Sequence, residues 1–252
     1  VIRNHFDVIG LDPVFRVAEE GELYLLRSQV LGDLLEEAYE EGDPAFLDFS
    51  ESFASGRTDA GLEEIVNLFF DYSDSFPDPS AWRRDCLKQY RCQEADEVDS
   101  LPWVQEMCLY AERVIRDRMD LLEKALAISG EEDGPWMYAD ALCSDRRILE
   151  RLLDCKDYQE YQQLFAAGLQ WEKLSGKRDS KVSAKKKAQA KALRDTVKDD
   201  IKALGEDCFS LDAPSLCQML RFGAKKLEVL VKLCDLYQER YAQVKRERGL
   251  VD

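Results

Sequence analysis

Residues 216–244 read LCQMLRFGAKKLEVLVKLCDLYQERYAQV, and this stretch indicates the fold class of the 252-residue chain. Apolar or small side chains recur in it at alternating spacings of four and three residues, the heptad pattern of a helix packed along other helices. The recurring positions are Leu216, Leu220, Gly223, Leu227, Leu230, Cys234, Tyr237, Tyr241 and Val244. An ordinary core stripe and a coiled-coil seam predict the same long helix, and we favour antiparallel packing within the chain.

Helical periodicity continues outward from this stretch. One further apolar face is formed by Leu23, Leu26, Val30, Leu34 and Ala38. Asp43-Pro44 and Asp78-Pro79 each join an N-cap acid to a proline at the first helical position, so each predicts a helix start. Ser183 predicts another start, for a helix from Ala184 to about residue 204. No segment alternates as a β-strand does, so we predict an all-α fold, a multi-helix bundle or array with a long C-terminal helix.

Size and composition limit how the chain is organised. Its 45% apolar residues suffice for a sizeable core, and no apolar run approaches the ~20 residues of a membrane span. We expect one helical domain over 1–252, with an acidic part at 1–92 and a second part at 93–252. The sequence has neither an initiator methionine nor a visible signal peptide, so we expect a cytoplasmic piece of a larger protein with no membrane partner.

The sequence contains no complete set of catalytic residues. None of the eight cysteines forms a C-x-x-C pair, which favours reduced, mostly buried thiols. The single histidine, His5, lies in a segment that we expect to be helical and half-buried, and it supplies no zinc site or catalytic base. Gly176-Lys177 lacks the spacing, the hydroxyl residue and the preceding strand of a phosphate-binding loop. We therefore expect no catalytic residue, metal or cofactor within this chain.

Charge is distributed unevenly along the chain. The net charge is −16, yet residues 173–198 hold ten basic and only two acidic side chains. Such a positive region in an acidic protein attracts anionic partners. Within the basic segment 173–202 we predict contacts to DNA phosphates from Lys177, Lys181, Lys185, Lys186, Lys187, Lys191, Arg194 and Lys198.

Four of these residues form a stripe on the predicted helix that begins at Ala184. Lys187, Lys191, Arg194 and Lys198 lie four, three and four residues apart, and they cover about 16 Å at a rise of ~1.5 Å per residue. We expect no base-specific recognition, because no aromatic residue is interleaved with the stripe. The alternative is a solvated basic face that pairs with the acidic N-terminal helices.

A series of short strings gives a more specific indication. They are Leu11-Asp12-Pro13-Val14-Phe15-Arg16-Val17-Ala18, Glu36-Glu37-Ala38-Tyr39-Glu40-Glu41, Asp59-Ala60-Gly61-Leu62, Ser75-Phe76-Pro77-Asp78-Pro79 with Trp82, Leu193-Arg194-Asp195, and Lys245-Arg246-Glu247-Arg248-Gly249-Leu250-Val251-Asp252. In this order they resemble the A-type subunit of the bacterial ATP-dependent helicase/nuclease of the AddAB or RexAB type, a UvrD-like superfamily 1 helicase. The chain departs from that pattern at Glu19-Glu20-Gly21-Glu22, where the family has Asp-Glu-Thr-Glu, and at Ser75, where the family has His.

The resemblance implies a role within a larger enzyme. It would make the chain the helical 1B insertion of the first motor domain, an arm that contacts DNA near the strand-separation fork. The parent enzymes are ATP-dependent 3′–5′ helicases and exonucleases that act in double-strand-break repair and recombination. ATP and Mg²⁺ would be bound by parent motifs that this chain lacks. The implied partners are double-stranded or forked DNA and the B-type subunit of the complex.

This interpretation predicts one distance, and the alternative function predicts a different feature. An insertion must return to the domain that carries it, so Val1 and Asp252 should lie within about 20 Å, with the first and last helices adjacent. The alternative function is an acidic helical scaffold that contacts the partner subunit or neighbouring domains. That alternative predicts a conspicuous exposed apolar patch.

Overall fold

The structure is a computed structural model that describes residues 15–54 and 58–251. Nine α-helices follow one another in this described part, which confirms the predicted all-α class. They are α1 (Glu20–Glu41), α2 (Pro44–Phe53), α3 (Ala60–Asp74), α4 (Pro79–Gln89), α5 (Pro102–Ser129), α6 (Ala139–Leu153), α7 (Tyr158–Ala166), α8 (Ala184–Cys208) and α9 (Ala213–Glu247). Short 3₁₀ turns occupy Ala95–Ser100 and Trp136–Tyr138. None of these described helices has the length and apolar character needed to cross a bilayer.

The predicted helix starts are confirmed by their capping bonds. The Asp43 carboxylate accepts a hydrogen bond from the backbone N–H of Ala45 at 3.0 Å, and Asp78 accepts one from Ala81 at 2.9 Å. The Ser183 hydroxyl accepts a bond from the N–H of Lys186 at 3.5 Å and begins α8. Each bond satisfies an amide that has no partner within its own helix.

The helix α9 carries the heptad seam, as predicted. Its buried side chains include Leu216, Leu220, Leu230, Cys234, Tyr237 and Tyr241, while the remaining seam positions are half-buried. At ~1.5 Å per residue, its 35 residues extend for about 50 Å.

The chain forms two compact units, each with a core of its own. The first contains Val1–Arg91 and Arg221–Asp252, and the second contains Cys92–Leu220. The first boundary falls within one residue of the expected division at 92, but residues 221–252 belong with the N-terminal residues and not with the second unit. They do so because the later part of the α9 seam is buried in the core that also contains Leu26 and Phe70.

The first unit buries one arginine among its helices. Arg83 is fully buried, and its guanidinium donates to Asp235 Oδ1 at 2.7 and 3.0 Å and to the Ser73 hydroxyl at 2.7 Å. Gln238 Oε1 accepts a further bond at 2.5 Å. A buried charge is tolerated only when it is paired and hydrogen-bonded, so this network ties α4 to α3 and α9.

Two very short strands correct the expectation of a strand-free chain. In the first unit β1 (Arg16–Val17) pairs in parallel with β2 (Leu250–Val251). The N–H of Arg16 donates to Gly249 O and the N–H of Ala18 donates to Val251 O, both at 2.9 Å. Two residues are too few to show alternation, so periodicity could not reveal them. The predicted separation of Val1 from Asp252 and the predicted state of His5 lie outside the described residues.

The cysteines are free thiols, as expected. All eight lie in the described residues, but only Cys92, Cys217 and Cys234 are buried, so the expectation of mostly buried thiols was wrong. Burial raises the pKa of the Cys234 thiol to about 12, and it raises the pKa of Cys108 and of Cys155 to about 11. Thiols with such high pKa values stay protonated at neutral pH and are poor nucleophiles.

Candidate nucleic-acid interface

The helix α8 arranges four lysines along one flank of its buried face. Ala190, Val197, Ile201 and Leu204 turn inward, and the helix advances by about 100° per residue. Within an arc of about 60° beside this buried face lie Lys187, Lys191, Lys198 and Lys202, here called the lysine row. Lys202 is not among the residues predicted from the sequence. It extends the row toward the C-terminal end of α8.

Aromatic rings lie beside three of the basic side chains. The Nζ of Lys187 lies 5.7 Å from the ring centroid of Tyr138, and that of Lys198 lies 5.8 Å from the Trp171 centroid. In the loop before α8, Lys177 Nζ lies 5.7 Å from the Trp136 centroid. These distances fall within the ~6 Å range of cation–π attraction. The stripe itself contains no aromatic residue, as the sequence shows, and these three rings come from other parts of the second unit.

The carboxylate of Asp179 holds the loop before α8 against Trp136. It accepts a bond from the backbone N–H of Lys181 at 2.9 Å and another from the Trp136 indole N–H at 3.1 Å. These two bonds hold the pKa of Asp179 below its usual range. Trp136 is still 52% exposed, so the loop presents Lys177 beside a partly open aromatic surface.

Arg194 does not belong to this surface, and its predicted phosphate contact must be corrected. Its side chain is buried with Asp145, and one guanidinium nitrogen lies 3.0 Å from Asp145 Oδ1. A second bond to the same carboxylate and one to the backbone oxygen of Glu172 complete its environment. Arg194 shares the inward face of α8 with Ala190 and Val197, so a phosphate in solvent cannot reach it.

The remaining predicted residues occupy different positions. Lys186 is paired with Asp133 and Glu131, and these two carboxylates raise the pKa of Lys186. Lys185 is exposed, but it lies about 160° around α8 from Lys187. Lys181 is exposed on the loop. The structure therefore brings together three of the eight predicted residues on α8, with a fourth, Lys177, beside Trp136.

A cavity of about 590 Å³ opens beside the C-terminal half of the lysine row. Its aromatic wall consists of Phe165, Trp171 and Phe209, and its charged lining consists of Lys198, Lys202 and two carboxylates. Phe165 stacks on Phe209 at 5.5 Å between centroids, with 12° between the ring planes. The ring of Phe165 lies so close to α8 that a Cβ on Gly205 would come within 2.5 Å of it.

The chain matches no established protein-family model. It does match curated proteins that are named as the A-type subunit of an ATP-dependent helicase/nuclease. The protein of Lachnoclostridium phytofermentans is 36% identical over 257 residues, that of Anoxybacillus flavithermus 31% over 255, and that of Geobacillus thermodenitrificans 31% over 256. Each match covers the whole of this chain and, respectively, 19%, 21% and 20% of the relative, so the chain spans about a fifth of their length. Over its whole length the chain is therefore homologous to one segment, about a fifth, of A-type subunits of the ATP-dependent helicase/nuclease.

Proposed function

We propose that this chain is a DNA-contacting helical arm of an ATP-dependent helicase/nuclease, and that the lysine row holds DNA phosphates. The parent protein would be a 3′–5′ helicase and exonuclease acting in double-strand-break repair and recombination. The chain would be the 1B insertion of its first motor domain. ATP, Mg²⁺ and the catalytic residues would belong to other parts of that protein. Double-stranded or forked DNA and the B-type subunit would be its contacts.

The observation that carries this proposal is the alignment of Lys187, Lys191, Lys198 and Lys202 on one flank of α8. Within residues 15–54 and 58–251, Lys202 is the one member of this row with a carboxylate partner, since its Nζ lies 3.4 Å from Glu206. A row of lysines at intervals of one to two helical turns suits the repeating phosphates of a DNA strand. Lys177 extends the positive surface from the adjoining loop.

Titration of a fluorescently labelled blunt duplex at several salt concentrations tests the proposal. We expect weak, sequence-independent binding whose log–log salt slope is about −3 to −5, because roughly four to five phosphates lose their counterions. Reversal of three charges by Lys187→Glu, Lys191→Glu and Lys198→Glu should abolish this binding.

A control variant with the same change in net charge separates a specific surface from general repulsion. Lys124→Glu, Lys156→Glu and Lys232→Glu replace three exposed lysines that lie on helices or loops other than α8. We expect this control to bind the duplex nearly as well as the unmodified chain. Equal losses in both triple variants, or no binding by the unmodified chain, would contradict the proposed surface.

A second candidate function is a scaffold that contacts the partner subunit. The first unit supports it, because Leu68 and Tyr72 on α3 are 65% and 60% exposed. Tyr72 also packs against Phe76 and Trp82, with ring centroids 5.8 and 5.3 Å away, so the aromatic surface is continuous. Exposed apolar patches of this kind mark interaction surfaces.

Co-precipitation of the chain with the B-type subunit tests this second candidate. Leu68→Ser together with Tyr72→Ser should weaken capture without altering duplex binding. The charge reversal of the lysine row should have the opposite pattern. Unchanged capture by the Leu68 and Tyr72 variant would remove the support for a scaffold on α3.

A further inference from the structure

We infer that the cavity between α7 and α8 takes an unpaired base of single-stranded DNA whose neighbouring phosphates lie on the lysine row. This inference rests on the proposed DNA contact and adds a second type of ligand, the base itself. Lys198 connects the lysine row to the cavity, because it belongs to the row and also lines the cavity. A strand that follows the row toward the C-terminal end of α8 therefore reaches the cavity.

The wall of the cavity suits a flat aromatic group. Tyr161, Phe209 and Phe165 form a stacked series, with centroids 4.8 Å apart in the first pair and 5.5 Å apart in the second. Tyr161 and Phe209 are buried, whereas Phe165, at the end of the series, is only half-buried and lines the cavity. A base placed on Phe165 would continue the stack. Every base has a π-face, so this contact does not depend on sequence.

The charges that line the cavity distinguish a base from a phosphate as the occupant. Asp199 and Glu206 line it together with Lys198 and Lys202. A phosphate inside the cavity would meet two carboxylates, whereas a base is neutral and offers both hydrogen-bond donors and acceptors to such a mixed lining. The phosphates therefore stay outside, on the lysine row, and the base enters.

The size of the cavity fits the same occupant. Its volume of about 590 Å³ lies within the range of about 300–1,000 Å³ that is common for small-ligand sites. Trp171 adds a second aromatic surface to the lining, and Lys198 Nζ lies 5.8 Å from its ring centroid. Gly205 is required on the α8 side, because any side chain there would displace Phe165.

Two labelled oligonucleotides of equal length and charge test the inference with the full 252-residue chain. One is a ten-nucleotide oligo(dT), and the other carries abasic sites in place of its bases. If bases enter the cavity, oligo(dT) should bind about tenfold more tightly than the abasic strand, because stacking contributes only where a base is present. The ratio of the two dissociation constants is the quantity to compare among variants.

Substitutions at Trp171 test whether stacking on aromatic rings, and not a change in the fold, causes the tighter binding of oligo(dT). Trp171→Leu should reduce the ratio to below about twofold, whereas Trp171→Phe should retain most of it. Tyr110→Leu removes an aromatic ring that is 51% exposed on α5, outside the cavity, and should leave the ratio unchanged. Circular dichroism of each variant shows whether the helices are preserved.

The outcomes distinguish this inference from the proposed function. Equal, salt-dependent binding of both strands by the unmodified chain would overturn the base site and leave the lysine row in place. No binding of either strand or of the duplex would overturn both. A Trp171→Leu variant that keeps the tenfold ratio would also overturn the inference.

Discussion

Arg194 and Asp145 form an ion pair inside the second unit, where the arginine is 4% exposed and the aspartate is fully buried. Removing two charges from water is costly, and the bonds from Arg194 to Asp145 and to Glu172 O offset that cost. Loss of one partner leaves the other charged and unpaired in the core. Arg194 therefore contributes to the stability of the second unit, and its guanidinium is not exposed for contact with a ligand.

We predict that Arg194→Met lowers the free energy of unfolding by about 3–5 kcal/mol, because Asp145 is left buried without a counter-charge. Adding Asp145→Leu should restore most of the loss, since an apolar pair of similar volume replaces the ion pair. Lys191→Met, at an exposed position of the lysine row, should change stability by no more than about 0.5 kcal/mol. Urea denaturation measures all three.

One outcome of these measurements would contradict the burial of Arg194. If Arg194→Met unfolded at the same urea concentration as the unmodified chain and weakened duplex binding as Lys191→Met does, Arg194 would face the DNA. The burial described for Arg194 would then be incorrect.

We predict that the chain loses stability in alkaline solution because the thiol of Cys234 is buried. Burial raises its pKa to about 12 from an ordinary value near 9, and its Sγ lies 3.7 Å from Val66 O. Above pH 9 the unfolded chain releases this proton while the folded chain still keeps it. The contribution of the protonated Cys234 thiol to the free energy of unfolding is therefore fully present below about pH 9 and is lost as the pH rises toward 12.

Urea denaturation between pH 8 and pH 11 measures this effect. The unmodified chain should lose stability over the interval, and Cys234→Ala should lose less, because it has no proton to release there. Cys143→Ala, which removes an exposed thiol, provides the matched control and should follow the unmodified chain. Parallel curves for the unmodified chain and Cys234→Ala would contradict the assignment.

Two glycines inside helices have opposite effects on the stability of the fold. On α8, a Cβ at Gly205 would lie 2.5 Å from Phe165 Cδ1 and 2.9 Å from its Cε1. On α1, a Cβ at Gly32 would meet nothing within 4 Å. The first glycine permits a ring to lie against the helix, whereas the second only adds conformational freedom to the unfolded chain.

We predict that Gly205→Ala lowers the free energy of unfolding by about 1–3 kcal/mol, because Phe165 must move away from α8. Gly32→Ala should raise it by about 0.5–1 kcal/mol, since alanine favours the helix interior. Thermal or urea unfolding of both variants measures the difference in sign. A stabilising Gly205→Ala would show that Phe165 does not pack on this glycine.

The elements of this fold differ in how far sequence alone predicts them. The α9 seam and the caps at Asp43, Asp78 and Ser183 are predictable because each depends on residues a few positions apart. The pairing of Arg194 with Asp145 is not, because it joins residues 49 positions apart. A signal was nevertheless present, since Ala190, Val197 and Ile201 around Arg194 mark an inward face.

The candidate site was less predictable than the helix that carries most of it. Lysine spacing predicts a basic stripe on α8, and three of its members do lie together. The rings of Tyr138 and Trp171 reach Lys187 and Lys198 from other segments, so no local pattern connects them. Trp136 lies beside Lys177 in the same way. The cavity depends on the stacking of Phe165 on Phe209, which only the folded chain brings about.

Along the sequence, the second unit is inserted within the first. Cys92–Leu220 is one continuous segment with its own core, while the first unit is assembled from residues on either side of it. The buried members of the second core, such as Ile115, Leu142 and Ile201, all lie within that segment. A continuous segment with its own core has what independent folding requires.

We predict that residues 92–220 expressed alone fold into a helical unit with a cooperative unfolding transition and retain binding to the duplex. Far-ultraviolet circular dichroism and the salt titration measure these properties. Leu142→Ala in this segment should lower the unfolding midpoint by removing a fully buried side chain. A segment without cooperative unfolding would show that its core depends on the remaining chain.

The parallel pairing of β1 with β2 has a mechanical consequence. Tension that draws the chain before Arg16 away from the chain after Val251 acts along both strands in opposite directions. The bonds from Arg16 to Gly249 and from Ala18 to Val251 are then loaded in shear and must break together. An antiparallel pair pulled from the same positions would peel apart one bond at a time. The first unit thus resists extension at the point where force along the polypeptide would enter it.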